Sequence, residues 1–406
     1  MKRTIKLAVA AAIALSATSA FATNGDHLIG MGAKARGMGG VGIGMSHGAE
    51  SALANPALIT TVKGTEVSFG GTVFMPDVET NLGTGEGGYK SDADLSVIPE
   101  VAIAQNIGNG FSWGIGMYGT AGMGTDYRDS SNPAGINNLN MVTNLQLMQF
   151  ALPVAYKAGA FSIGIAPVLQ YGSLDMNYDL SAMMMQAPGT TMSTTQGVAQ
   201  DLGLGYNVGA AFSDEGLTVG ASYKSAIDMV YKGQLSKATT QFNGMGTGLA
   251  ILSDHLEQPA ELGVGASYTM DGHTLAVDYK RIQWSDAKGY KDFGWEDQNV
   301  YMIGYQYAQD SWALRAGYNY AKSPIVEQNP LAPGGAALNT LNLLGFPAIV
   351  EQHYTVGGSY AFSKVTSLDL AYVYVPETEE TFTGLTGPTT TKHSQDAASV
   401  QVNFNF

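Results

Sequence analysis

Two active-site patterns stand side by side near the start of the chain. In "KARGMGGVGIGMSHG" (34–48), Gly37, Gly39 and Gly42 satisfy G-x-G-x-x-G, the loop that lets a dinucleotide pyrophosphate approach backbone N–H groups. Gly44, Ser46 and Gly48 satisfy G-x-S-x-G, the elbow that presents a nucleophilic serine. Each pattern needs a buried strand before it and a helix after it. Upstream, Lys2, Arg3 and Lys6 form a positive segment, Leu7 to Leu15 an apolar one, and Ala20-Phe21-Ala22 a small-residue cleavage site. Together they read as a signal peptide over 1–22. The stretch between Thr23 and Gly37 holds no strand-like apolar run, which removes the dinucleotide reading. Downstream, "HGAESALANPAL" is broken by Pro56, which leaves the serine without its helix. The glycine-rich stretch reads as a packing segment, and no enzyme activity is expected.

Other chemistry is sparse. His27, His47, His255, His273, His353 and His393 are scattered without metal-ligand spacing, so no metal or cofactor is expected. Asp92 and Asp94 form one D-x-D, too few ligands for a Ca²⁺ site.

The elements that position these residues follow from composition and periodicity. Only 13% of the 406 residues are charged and 52 are Gly, a charge content well below that of soluble domains. After the signal peptide no apolar run is long enough for a transmembrane helix. The remaining structure that satisfies every backbone group in lipid is a closed β-barrel. A net charge of −14 argues against nucleic acid as a partner. In "FSWGIGMYGT" (111–120), Phe111, Trp113, Ile115 and Met117 alternate with Ser112, Gly114, Gly116 and Tyr118, as in a strand between lipid and a lumen. Similar segments fall near 65–79, 96–106, 111–120, 144–157, 160–180, 199–213 and 216–234. They continue at 258–270, 273–286, 297–309, 311–323, 352–363, 366–381 and 396–406, which makes fourteen. Short connections such as "NIGNG" and "SDEG" alternate with long ones at 121–143, 181–198, 235–257 and 324–351, the rhythm of periplasmic turns opposite extracellular loops. The expected fold is all-β, a transmembrane antiparallel barrel over 65–406, with residues 23–64 as a hatch inside it. The closing "AASVQVNFNF" resembles the C-terminal signature read by the barrel assembly machinery.

"GAKARGMGGVGIGMSHGAESALANPALIT" resembles the N-terminal hatch of the FadL-type long-chain fatty acid and hydrocarbon transporters. "PAELGVGASY", "LAVDYKRIQWSD", "DSWALRAGYNYAKSP" and "HYTVGGSYAFSK" resemble the later strands of that family. The resemblance implies a fourteen-stranded plugged barrel that takes hydrophobic compounds across an outer membrane, among its lipid and lipopolysaccharide. On that reading the hatch glycines Gly37, Gly39 and Gly42 serve close packing, and Asn55-Pro56 sets a rigid turn that anchors it. Apolar loop segments offer a capture surface: Phe242, Leu249, Ile251 and Leu252 in 241–257, Met183, Met184 and Met185, and "LNTLNLLGFPAIV" at 338–350. A lid in which the loops bury one another is the competing expectation. For a ligand carboxylate, the resemblance points to Lys291. The alternation turns Arg315 into the lumen, where salt bridges of Arg315 and Lys280 with residues such as Asp278 are the simpler reading. Where fatty-acid members carry a luminal base, this chain has Gln170 and Tyr171, which leaves room for a neutral or aromatic hydrocarbon. A general porin and a lipid hydrolase using Ser46 are the lesser alternatives.

Overall fold

The computed structural model describes residues 24–83, 88–128, 138–180, 193–194 and 197–406. Met183, Met184 and Met185 and the signal-peptide segment lie outside the described residues. Fourteen antiparallel strands form the wall. They are β1 (Thr65–Asn81), β2 (Ser96–Gly108), β3 (Phe111–Asp126), β4 (Val142–Ala151, resumed at Val154–Ala158), β5 (Phe161–Asp179), β6 (Ala199–Asp214) and β7 (Leu217–Lys224). The second half comprises β8 (Glu261–Met270), β9 (His273–Ile282), β10 (Gln298–Gln309), β11 (Trp312–Ala321), β12 (Gln352–Ala361), β13 (Thr366–Gly384) and β14 (Gly387–Asn405). Each strand pairs with the next, and β14 pairs with β1 from Glu66↔Asn405 to Asn81↔Thr390, so the sheet closes without an edge.

The alternation read from the sequence is the in-and-out alternation of the wall. Phe111, Trp113 and Ile115 are exposed on the outer face, whereas Ser112 and Tyr118 are buried within. Pro153 lacks an N–H and interrupts β4, which meets β3 on either side of the break.

Four strand ends differ by four residues or more from the sequence reading; the third strand runs on to Asp126, past the expected 120. The seventh stops at Lys224 and the ninth at Ile282, both short of the expected 234 and 286, because the chain leaves the wall and folds over the mouth. The last begins at Gly387 instead of 396. Thr389, Thr391, His393 and Gln395 face inward while Thr390, Lys392 and Ser394 face outward, so both faces are polar and no apolar alternation marks the strand. Its connection to β13 is therefore a tight turn at 385–386, the one short link on the loop side among the described residues.

The loops close the mouth. Helix Leu235–Gly244 buries Leu235, Ala238, Thr239 and Phe242, the i, i+3, i+4, i+7 face. Helix Gly335–Gly345 buries Leu341 and Leu344. They pack with Trp284, Tyr290 and Trp295 into one apolar mass continuous with Leu145, Leu147 and Met123 of the upper wall. The lower lumen is polar, lined by Ser68, Thr72, Asp369, Gln401 and Asn403.

Candidate functional site

Residues 24–64 fill the lumen, and the glycines that opened the sequence reading are seated against the wall. Asp278 of β9 turns inward and accepts the N–H groups of Gly42 (2.7 Å), Ile43 (2.7 Å) and Gly44 (3.1 Å). The glycine run thus forms an anion-binding concavity whose anion is a side chain of the barrel. Gly39 has φ +69°, and a Cβ there would come within 2.7 Å of the Tyr318 carbonyl oxygen. Gly37 lies back to back with Gly357, while a Cβ on Gly42 would meet side chains alone, Ala54 at 3.1 Å and the His47 ring at 3.7 Å. Gly44, which the motif reading assigned to a serine elbow, is wedged against Gly265 and Ala266. Ser46 bonds Thr61 Oγ1 at 2.7 Å and the Leu58 carbonyl at 3.2 Å, contacts internal to the hatch.

Asn55 and Pro56 hold the other side. The Asn55 side chain accepts from Ala57 N (3.1 Å) and donates to the carbonyls of Ile43 (2.9 Å) and Ala210 (3.2 Å). Gly164, Gly209 and Gly220, on three successive strands, leave the space it needs, since a Cβ on any of them would overlap Pro56, Asn55 or Ile43. A buried ion pair completes the attachment. Arg36 donates to Glu100 at 2.9 and 2.5 Å and to Thr72 Oγ1 at 2.6 Å. Neighbouring charges form a network in which Lys34 lies 3.7 Å from Asp369 and 3.9 Å from Glu66. Burial pushes the Glu50 carboxyl well above its usual range and lowers the His47 ring to about 4.

At the upper end of the hatch an arm, Asn24 to Leu28, adds to β3 as a short strand. Leu28 N donates to Thr120 O (3.1 Å) and Gly122 N to Asp26 O (3.0 Å). β3 is available because past Tyr118 it parts from β2 while it keeps its pairing with β4. Its pairing with β2 runs from Gly108↔Phe111 to Glu100↔Tyr118 and stops, its pairing with β4 slips between Gly119 and Ala121, and every residue from Thr120 to Thr125 is buried. The inward bend opens a gap of about 470 Å³ lined by Leu28, Val97, Ile98, Pro99, Leu147 and Met148. Asp26 is held by Tyr290 Oη and by Gln258 Nε2 (3.0 Å), which also donates to Tyr290 Oη at 3.2 Å. The arm is thereby tied to the loop lid.

Beside the arm, Lys224 and Lys280 share Glu261, at 3.2 and 2.9 Å, one on each carboxylate oxygen. His27 Nδ1 lies 3.5 Å from the same carboxylate. Burial lowers the affinity of that ring for a proton, and Glu261 opposes the shift. The two lysines line cavities of about 600 and 450 Å³. Each ammonium has three donors, of which Glu261 takes one.

The residues singled out in the sequence are dispersed. Phe242, Leu249 and Leu252 are buried in the lid, as the loop-on-loop expectation had it, whereas Ile251 is 57% exposed on the outer surface. Lys291 sits in the exposed turn between Tyr290 and Phe293, at the rim and not in the lumen, because those two aromatic neighbours take the inward positions. Arg315 faces the lumen, but its partners are Asp369 (3.6 Å), Gln306 (2.7 Å) and Ser359 (2.5 Å), and Lys280 pairs with Glu261; Asp278 is occupied by the hatch. The alternation Asp278, Lys280 in "LAVDYKRI" puts both side chains on the luminal face, as expected for Lys280. Nothing local in the sequence connects it to Lys224 or Glu261.

The family model of the outer membrane protein transport proteins (OMPP1/FadL/TodX) matches residues 7–406. The chain belongs to that family. It is an outer-membrane transport protein and not an enzyme. The chain is 25% identical over 410 residues to the 47 kDa outer membrane protein of Pasteurella multocida, covering 90% of this chain and 92% of that one. It is 23% identical over 391 residues to outer membrane protein P1 of Haemophilus influenzae, covering 82% and 83%. The fold is similar to that of the P. putida toluene transporter TodX (TM-score 0.68, 19% identity, 93% and 99% covered). It is equally similar to a Pseudomonas aeruginosa FadL homologue (TM-score 0.67, 16% identity, 94% and 100% covered). The solved structures similar to it include toluene transporters, and this chain is an outer-membrane transporter of hydrophobic compounds.

Proposed function

We propose that this transporter takes up amphipathic acids with long apolar tails, long-chain fatty acids foremost, and releases them sideways through the gap beside β3. The observation that carries the reading is the pair Lys224 and Lys280 on one glutamate, lining cavities that adjoin the apolar gap. A carboxylate entering there gains charge-assisted hydrogen bonds in a site shielded from water. The lower lumen offers an apolar tail nothing but hydroxyls, amides and charges, held together by the hatch network. The bent β3 instead leads the tail toward lipid. Captured molecules enter from above past Ile251, and Lys291 at the rim offers a carboxylate its first cation.

A second reading, uptake of neutral aromatic hydrocarbon, is favoured by one feature. A small chamber under the lid is lined only by Met123, Leu256, Tyr290, Phe293, Trp295 and Phe346. The toluene transporter named above shares the fold. Replacing Lys224 and Lys280 together by Met separates the two. Oleate binding is expected to weaken by about 1.5 to 3 kcal/mol for each charged hydrogen bond lost, with toluene uptake unchanged. Equal loss of both ligands would refute the carboxylate site.

A further inference from the structure

Leu28 lines four cavities. Two are the cavities lined by Lys224 and Lys280. The third is the apolar gap beside β3, and the fourth an apolar space of about 300 Å³ against Phe74, Val373 and Val375. Its side chain is 5% exposed, and its backbone is pinned to Thr120 of the bent strand. Met31 and Ile29, its apolar neighbours in the hatch, each line only two of these spaces. One isobutyl group therefore stands where the cation site, the wall gap and the second apolar space come together.

We propose that Leu28 is a specificity-determining residue, the side chain that sets the greatest width of molecule able to pass from the lysine pair to the gap beside β3. The proposal rests on sideways release as the route, but not on the cargo being an acid. A leucine moves between a few staggered rotamers, so it can swing aside for one polymethylene chain at a time. A rigid fused-ring molecule needs a wider bore than such a rotation clears. On the wall side of the gap Ile98 and Ala121 are buried, and Gly119 has Ile98 against it. Width selection thus falls to one residue of the arm, while the lysines select the head group.

The test is uptake by intact Gram-negative cells lacking their own fatty-acid channel and expressing the full chain as wild type, Leu28→Ala, Leu28→Met or Leu28→Trp. Two acids are compared, oleate and the rigid fused-ring cholate. Leu28→Ala is expected to raise the ratio of cholate to oleate uptake at least tenfold, Leu28→Met to leave it within twofold, and Leu28→Trp to stop oleate uptake while oleate binding to the purified protein persists. Heat-modifiable migration on gels shows that each variant is folded. An unchanged ratio in a folded Leu28→Ala variant overturns the proposal, as does unimpaired oleate uptake by Leu28→Trp. If the wild type takes up neither acid but does take up hexadecane, the carboxylate reading fails. The same ratio, read with pyrene against hexadecane, then decides the role of Leu28.

Discussion

Removing the carboxylate that holds the glycine run should release that part of the hatch without unfolding the barrel. In Asp278→Ala the three N–H groups of Gly42, Ile43 and Gly44 lose the acceptor now 2.7 to 3.1 Å away. Each buried donor left unpaired costs about 1 to 3 kcal/mol. Taking the low end for each, because water can enter a polar lumen, gives about 3 kcal/mol against the docked state. That is more than a hundredfold in the opening equilibrium of residues 41–45. Amide hydrogen exchange on the purified protein measures this quantity directly. Protection at Gly42, Ile43 and Gly44 is expected to fall by about two orders of magnitude while the wall strands keep theirs, and Asp278→Asn, which retains one oxygen, should fall between. Planar-bilayer recordings should show added leak conductance in the same order. Unchanged exchange at 42–44 in Asp278→Ala would refute the reasoning. So would a loss of protection spread evenly over the strands, since that would make Asp278 a determinant of the whole fold.

Breaking the buried Arg36 and Glu100 pair from one side, as in Glu100→Leu, should destabilise hatch docking by about 3 to 5 kcal/mol, and the double change with Arg36→Met should recover much of it; thermal unfolding of the hatch followed by exchange checks both. Gly209→Val, whose side chain would occupy the place of Asn55, should raise leak conductance yet leave heat-modifiable migration intact. Ser46→Ala should take up ligand like the wild type, because its hydroxyl bonds only hatch groups; loss of uptake would reopen the serine as a nucleophile. The chain has no cysteine, so Lys291→Cys and Glu215→Cys can be probed singly with an impermeant maleimide. Labelling of the first but not the second on intact cells is expected, and the reverse pattern would invert the membrane orientation.

The wall was legible in the sequence because lipid imposes a period. Wherever one face must meet hydrocarbon, as in Phe111 to Met117, every second residue declares itself, and the fourteen strands could be placed from that alone. The signal fails where lipid is absent, which is why the polar start of β14 went unrecognised and why the chain past Lys224 was read as strand. Glycine spacing showed that residues 34–48 must pack closely, but not against what. The partner of the run is Asp278, more than 230 positions away, and the space around Asn55 is made by glycines on three strands whose adjacency exists only in the closed sheet. Lys224, Glu261 and Lys280 are likewise brought together by strand register: Lys224 stands opposite Glu261 in the β7–β8 ladder, and Lys280 comes from β9 next door. The tertiary structure alone decided the bend of β3. Gly119, Thr120 and Ala121 carry no local mark of it, since the bend is stabilised by N–H and C=O groups of an arm nearly a hundred residues upstream, which accept and donate what the neighbouring strand no longer can.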